Sequence, residues 1–217
     1  MAMHSNGISA LQLQSQLGLG SYRTAWMLCA KLRRAMVNPE REPLCGVVEA
    51  DETIIPFRTK EDPIVLPAGR SGVGKMLIAG AVEFDGGTPR HTRLKVIEVF
   101  GKNEIHAFVL GAVAPNTRLV TDDWPSYNDI PDIKHKAITL GPMAAHIVLP
   151  WTHRLFSNLK RWGLGVYHGL RTTNLQHYLN EFVFRFNRCR TRYAAFDTLL
   201  RISARTASYH VLIRKTA

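Results

Sequence analysis

Cysteine is scarce in this chain: Cys29, Cys45 and Cys189 are the three thiols among 217 residues. They stand apart, with no CxxC pair and no histidine at zinc-ligand spacing, which excludes a zinc site and a disulfide framework. Such thiols fit a reducing cytoplasm, each as a small buried apolar residue. Long apolar runs are missing as well. No stretch of 18 apolar residues occurs, so no membrane partner is expected. The opening MAMHSNGISA lacks the charged start and apolar stretch of a signal peptide. There is no internal repeat and no low-complexity tract.

Acid is missing from two regions. Residues 1–38 contain Arg23, Lys31, Arg33 and Arg34 and no Asp or Glu, and residues 151–217 hold 12 Lys/Arg against 2 Asp/Glu. The first 150 residues balance, at 16 against 15, so the net charge of +11 resides almost wholly in the last third. A generally basic surface would spread its charge. Concentrated charge with His153, Trp162, His168 and Tyr193 interleaved suits a polyanion-binding face. A 46% apolar content with 9% aromatics supports a packed core and excludes a disordered chain. The length suits one substantial domain with a small appendage.

The first segment predicts two helices around a tight turn. Ser9 can cap ALQLQSQL, Gly18 to Gly20 break it, and Ser21 can cap YRTAWMLCAKLRRAM. Ala25, Cys29, Leu32 and Met36 make one apolar stripe on the second helix, leaving Arg23, Lys31 and Arg34 largely off it. That is a helix-turn-helix pattern whose second helix could enter a major groove. An ordinary helical hairpin has the same pattern. Asn38 to Pro43 form a linker. Strands are expected at Gly46–Ala50, Met76–Glu83, Leu94–Phe100, Arg118–Thr121 and Lys136–Leu140. Helices are expected at Asn103–Ala112, with Asn103 as cap, at Trp151–Tyr167 and Thr173–Cys189, and in the last residues. The expected fold class is α/β: a ribonuclease H-like mixed sheet with flanking helices, preceded by a small helical, helix-turn-helix-like segment. The boundaries are 1–38 for that segment, 44–190 for the catalytic domain and 191–217 for a basic helical tail. In such a sheet the first strand lies centrally with the fourth beside it.

Three polar stations then carry the chemistry: Asp51 in CGVVEADETII, Asp122 in TRLVTDDW and Asn158 in HRLFSNLKRW. Both acids end short β-branched runs, and 35 residues separate Asp122 from Asn158. Phosphodiester transfer needs an activated nucleophile and a stabilised leaving oxygen beside a polyanion. Two Mg²⁺ ions roughly 3.5–4 Å apart do both, and hard cations take carboxylate oxygens. Asp51 and Asp122 are the natural metal ligands. Alternation puts Glu49 on the face of Asp51 and Glu52 on the other, while periodicity does not choose between Asp122 and Asp123. A lone Asp at a strand end is more often a turn or cap residue; two, followed by a basic helical region, weigh against that.

The segments VEADETII, TDDWPSYN, HRLFSNLKRWGLGVYHG and YLNEFVFRFNRCR resemble transposases of bacterial insertion sequences, specifically the ISXO-like group of the DDE superfamily. SYRTAWMLCAKLRRAM is similar to the segment preceding that domain. The resemblance spans about Gly7 to Arg190. It implies a ribonuclease H-like core, a divalent metal (Mg²⁺ or Mn²⁺), and cut-and-join chemistry on double-stranded DNA, both terminal repeats and target. It further implies a homo-oligomer on DNA, in the cytoplasm and at the nucleoid. Carried over by motif, Asp51 and Asp122 are metal ligands, Asn158 is the third site residue and Lys160 binds phosphate. Arg23, Lys31, Arg34, Arg154, Arg161, Arg185 and Arg188 are the expected DNA-binding cations. The family normally begins with a cysteine-rich zinc-ribbon-like region, so the start here reads as the interior of a longer protein. TDDW also replaces the usual TDGW, placing Asp123 where a flexible Gly is expected.

The third station stays open between residues. An amide oxygen ligates more weakly than a carboxylate, and Asn158 and Lys160 point about 200° apart on one helix. His153 and Glu181 are the alternatives, although histidine suits Mg²⁺ badly. A catalytically inactive DNA-binding remnant is the rival expectation to an active transposase. The stretch GRSGVGK, Gly69 to Lys75, begins like a phosphate loop, but Met76 replaces the Mg²⁺-binding Ser/Thr and a strand follows. Tyr178, Phe182 and Phe186 fit a helix stripe that packs the core, leaving Arg185, Arg188, Arg190 and Arg192 for solvent or phosphate.

Overall fold

The computed structural model describes residues 2, 6–56, 75–139, 145–167, 170, 172–191 and 193–205. The phosphate-loop-like residues 69–74, His168, Arg192 and the last twelve residues lie outside them. Two compact units are present, one of Glu42–Leu179 and one of Met1–Arg41 with Asn180–Ala217. The break between Arg41 and Glu42 falls in the Asn38 to Pro43 linker, and the break between Leu179 and Asn180 falls inside the 44–190 segment.

In the Glu42–Leu179 unit five strands form one sheet: β1 (Val47–Pro56), β2 (Lys75–Asp85), β3 (Thr88–Ile97), β4 (Arg118–Asp122) and β5 (Lys134–Ile138). Their order is β3-β2-β1-β4-β5. β2 is antiparallel to β1 and β3, whereas β1, β4 and β5 run parallel. This is the ribonuclease H-like mixed sheet expected, with β1 central and β4 beside it. Gly86 and Gly87 turn β2 into β3, both at positive φ (53° and 75°), the backbone a two-residue type I′ hairpin demands.

β5 lies two residues before the expected Lys136–Leu140, and two strands depart further. β1 continues six residues past Ala50, so Asp51 sits within it rather than at its end. β3 begins at Thr88 and ends at Ile97, where Leu94–Phe100 was expected. In both cases a polar stretch extends a strand because ladder hydrogen bonds to β2 hold it regardless of side chain.

Between β3 and β4 lies α3 (Lys102–Ala112). Its N-cap is Gly101 and not Asn103, with no side-chain cap bond. Ile105, Phe108, Val109 and Ala112 pack on Val48, Ala50, Ala79, Ala81 and Leu119 to form the core on one sheet face. The short α4 (Ala145–Val148) leads into α5 (Pro150–Val166), which covers the other face with Leu155, Phe156, Leu159 and Trp162. α6 (Leu175–Phe186) starts in this unit, where Gln176 clasps the edge strand: its Oε1 accepts from Val96 N at 2.9 Å and its Nε2 donates to Leu94 O at 3.2 Å. That removes two open ladder groups from an edge that would otherwise invite pairing.

In the other unit, α1 (Ala10–Leu17) opens on the expected cap. Ser9 and Gln12 form a reciprocal capping box, and Gly18 closes the helix at φ 62°. α2 (Tyr22–Ala35) buries Ala25 and Cys29, with Met36 just beyond, as the stripe predicts. Ser21 occupies its N-cap without a side-chain bond. Phe184, Met36 and α7 (Ala194–Arg205) residues Ala195, Leu199 and Ile202 complete a small core. Cys29 is buried as expected, whereas Cys45 and Cys189 are exposed.

Candidate active site

The site is built from strand register. β1 and β4 pair in parallel as Val47 with Arg118, Val48 with Leu119 and Glu49 with Val120. Val48 and Leu119 belong to the α3-side core. Glu49 and Val120 consequently face the other way, and so do Asp51 and Asp122, each two residues on. Neighbouring strands lie about 4.8 Å apart. The register thus chooses Asp122 over Asp123 as the companion of Asp51. Asp122 Oδ1 accepts from Trp124 N at 3.3 Å, and Asp51 Oδ1 accepts from Glu52 N at 2.8 Å. Asp123 turns away to Thr139, whose Oγ1 donates to it at 3.2 Å. Non-glycine residues at positive φ are Asn116, Asp129 and Asp132 among the described residues. An aspartate in place of glycine at 123 is therefore unstrained.

Helix α5 comes down on this face beside Asp51. Opposite Asp51 on β2 stands Gly80. A Cβ there would lie 2.6 Å from Cε1 and 2.8 Å from Cζ of Phe156, so only glycine admits that ring. Glu49, 3% exposed, supplies a second anchor. Its Oε2 accepts from Trp151 N at 2.8 Å and Thr152 N at 3.0 Å. The first N–H groups of a helix need acceptors and favour a negative charge, and α5 has no local side-chain cap. Glu49 caps it from 102 residues away. Burial lifts the Glu49 carboxyl above its ordinary range, against the opposite pull of the two N–H groups.

With α5 so held, His153 Nε2 lies 3.8 Å from Asp51 Oδ2. Lys160, seven residues on, is only about 20° off the azimuth of His153, whereas Asn158 is about 140° round. The helix therefore brings His153, and on the same flank Lys160, to the Asp51 side. Asn158 is carried to the far flank, with exposed Arg154 and Arg161 within about 60° of one another and of it. Arg154 also lies over the Trp151 ring, 5.0 Å from its centroid.

The opposite sheet face backs the two acids with Tyr127, fully buried. Burial pushes its hydroxyl pKa well above the normal value, and the charges of Glu52, Asp51 and Asp122 push the same way. The Tyr127 hydroxyl is thus held in its neutral form, with the charge of Glu52 as the largest cause after burial. Thr121 donates to Asp122 O at 2.6 Å and meets His135 Nε2 at 2.8 Å. Burial lowers the His135 pKa, opposed by Asp123. Alternation gives the face of Glu49, but its capping of α5 and the parts played by Gly80 and Tyr127 depend on partners distant in the sequence. For Gly80 a signal existed, since an isolated glycine inside a strand marks close approach of another element.

The remaining candidates belong to the Met1–Arg41 and Asn180–Ala217 unit. Glu181 is fully buried and holds Arg33 Nε at 2.8 Å, with Arg185 Nη1 at 4.0 Å. Arg185 is accordingly 12% exposed, rather than projecting to solvent. Arg23 and Lys31 are exposed on α2, and Arg34 is half-buried. Arg188 is half-buried against the Phe184 ring.

Among the described residues no group of three His, Cys, Asp or Glu side chains is arranged to hold a metal ion. Two carboxylates nevertheless suit Mg²⁺, which keeps waters and commonly takes one or two protein carboxylates plus substrate phosphate. Among the described residues no helix is long and apolar enough to cross a membrane.

A family model described as the ISXO2-like transposase domain matches residues 43–187. No curated protein matches the chain. Among solved structures it is similar to the pre-cleavage Mos1 transpososome, at 12% identity and a TM-score of 0.42 over 94% of this chain and 76% of that one. It is also similar to the Mos1 strand transfer complex, at 10% identity and a TM-score of 0.40 over 92% and 75%. A third is the simian T-cell lymphotropic virus intasome in complex with PP2A regulatory subunit B56 gamma, at 13% identity and a TM-score of 0.40 over 94% and 71%. Likenesses at these scores assign no residue a role.

Proposed function

We propose that this chain, which belongs to the ISXO2-like transposase family, cleaves DNA at the ends of an insertion sequence and joins the freed ends to target DNA. The observation that carries the site assignment is the common face and aligned register of Asp51 and Asp122. Asp51 and Asp122 would hold a divalent cation, Mg²⁺ or Mn²⁺. Bound there, the ion supplies Lewis acidity toward a phosphodiester and lowers the pKa of water. The chain's own groups orient the reactants. His153, 3.8 Å from Asp51, fills the third position and offers a ring nitrogen beside the acids. Lys160, on the same flank, binds a phosphate of the strand. Tyr127 stays protonated on the opposite sheet face. Asn158 joins Arg154 and Arg161 on the outward flank as a backbone-contacting stripe for double-stranded DNA. The protein works as a homo-oligomer on paired element ends.

The test is metal-dependent nicking and strand transfer on DNA carrying the element's terminal repeats. Asp51→Ala and Asp122→Ala should each lower the rate roughly a hundredfold or more. His153→Ala should impair the chemical step, and Asn158→Ala should chiefly weaken DNA binding. Full activity in both aspartate variants defeats the proposal. Loss of chemistry in Asn158→Ala alone would return the third position to that residue. An inactive DNA-binding remnant is the second reading, favoured by the absence, among the described residues, of a group of three His, Cys, Asp or Glu side chains placed to hold a metal ion. It predicts DNA binding with no nicks from the wild-type chain in Mg²⁺ or Mn²⁺.

A further inference from the structure

In the unit formed by the two ends of the chain, a cavity of about 220 Å³ is lined by Asn38, Arg188, Thr198, Arg201, Ile202 and Arg205. Three guanidinium groups thus border one concavity, and no carboxylate is among the lining residues. One of the three is already paired, Arg205 Nη1 lying 3.0 Å from Glu40 Oε2.

Arg188 is the central observation. Its guanidinium lies 4.0 Å from the centroid of the Phe184 ring, and its Nη1 donates to Phe184 O at 3.1 Å. The head group is therefore fixed on one side by stacking and one hydrogen bond. Arginine has five donors, so most are left for something else. Burial lowers its pKa, the mark of a cation that has lost water. Neither Arg188 nor Arg201 is in an ion pair with a carboxylate among the described residues. A desolvated charge without a counter-charge is costly, and an anion in the cavity would relieve it.

The neutral lining residues agree with an anion and not a cation. Asn38 Oδ1 already accepts from Glu40 N at 3.1 Å, which leaves its N–H₂ as the group available to a ligand. Thr198 Oγ1 donates to Ala194 O at 2.7 Å, so its proton is committed within α7. The donors on offer are thus two arginine forks and an amide, the set that matches a tetrahedral oxyanion.

We propose that this cavity is a seat for one phosphate group, supplied by a nucleic-acid backbone. The phosphate chemistry stands on the cavity alone; the choice of DNA as its source rests on the function proposed above. Two measurements on the full chain separate these. Thermal unfolding in sodium phosphate, against sodium chloride at equal ionic strength, should show a phosphate-specific rise in Tm. The rise should disappear in Arg201→Gln and shrink in Arg188→Lys, which keeps the charge but not the fork. Arg201 is exposed, so its variant folds even if Arg188 variants do not. Binding of a duplex oligonucleotide is then followed by anisotropy as salt is varied. Each lost phosphate contact should lower the slope of log K against log salt by about 0.9. A lowered slope in Arg201→Gln supports a backbone phosphate. A phosphate-specific Tm rise with unchanged slope keeps the seat and overturns its DNA source. Absence of both effects overturns the proposal. Should the wild-type chain bind no duplex at all, the function above fails, and the Tm comparison alone decides the seat.

Discussion

Removing Glu49 from β1 should loosen helix α5 without touching any residue of the helix. In Glu49→Ala the N–H groups of Trp151 and Thr152 lose the oxygen they share at 2.8 and 3.0 Å. Thr152 is fully buried, so water cannot replace that acceptor, whereas the Trp151 end is only partly buried. An orphaned buried donor costs about 1–3 kcal/mol. The two together should cost about 2–4 kcal/mol, less whatever water recovers at Trp151. Glu49→Gln is the informative partner. Its amide oxygen can accept from both groups, so the hydrogen bonds survive. The lost charge–dipole attraction, about 0.3–1 kcal/mol, is opposed by relief from burying a charge. The net change in Glu49→Gln should lie within about 1 kcal/mol of zero. Amide hydrogen exchange at Trp151, Thr152 and His153 reads the effect locally, which matters in a chain with two compact units that need not unfold together. Protection should collapse in the alanine variant and persist in the glutamine variant. Strand transfer should follow the same order, with Glu49→Gln rescuing what Glu49→Ala loses. Equal protection in all three proteins would refute the capping role.

The second anchor of α5 gives a related expectation. Gly80→Ala drives a methyl to 2.6 Å from the Phe156 ring, and the overpacking should cost about 1–3 kcal/mol in urea unfolding; an unchanged midpoint would show that α5 does not lie tightly on β2. In the other unit, Arg33→Ala leaves Glu181 buried and stripped of its 2.8 Å partner, a loss of about 3–5 kcal/mol. Arg33→Met with Glu181→Met should recover most of it, because the pair is removed whole, and a double-mutant cycle with no coupling would contradict the geometry.

Much of the frame was legible because local pattern and global fold agree. Val47, Val48 and Ala50 lead into Asp51, and Leu119 and Val120 lead into Asp122, so both acids could be placed on strands from composition alone. The capping box at Ser9 and Gln12 involves residues three apart, within the range of any local rule. What stayed hidden depends on partners distant in sequence. Asp122 and Asp123 look alike until β1–β4 register separates their faces. The polar run after Ala50 reads as a strand end, yet ten consecutive pairings to β2 carry β1 on to Pro56. Arg33 reads as one more surface cation of α2 until Glu181, 148 residues away, draws it inside. The absence of a cap before Trp151 is itself a clue, because an uncapped buried helix start requires an acceptor from elsewhere.

The difference between His153 and Asn158 reduces to the phase of one helix. A helix lying on a sheet can roll about its axis, and a roll of about 140° would exchange the two residues at Asp51. Two contacts oppose that roll. Glu49 holds the N–H groups of residues 151 and 152, which fixes the helix start in position. Phe156, about one turn further on, drops its ring into the space left by Gly80. Anchors at successive turns leave no freedom to roll without breaking two hydrogen bonds and withdrawing an aromatic ring. Asp51 lies between them, two residues along β1 from Glu49 and directly opposite Gly80. The residues that set the phase of α5 therefore bracket the acid that the helix must meet. A motif match in HRLFSNLKRW favours Asn158 by its position in the string, but Lys160 accompanies His153 on the inner flank and Arg161 accompanies Asn158 on the outer one. The same segment thus divides into a side turned to the carboxylates and a side where half-buried Asn158 stands beside exposed Arg154 and Arg161. The division follows from where Glu49 and Gly80 hold the helix, not from the order of its residues.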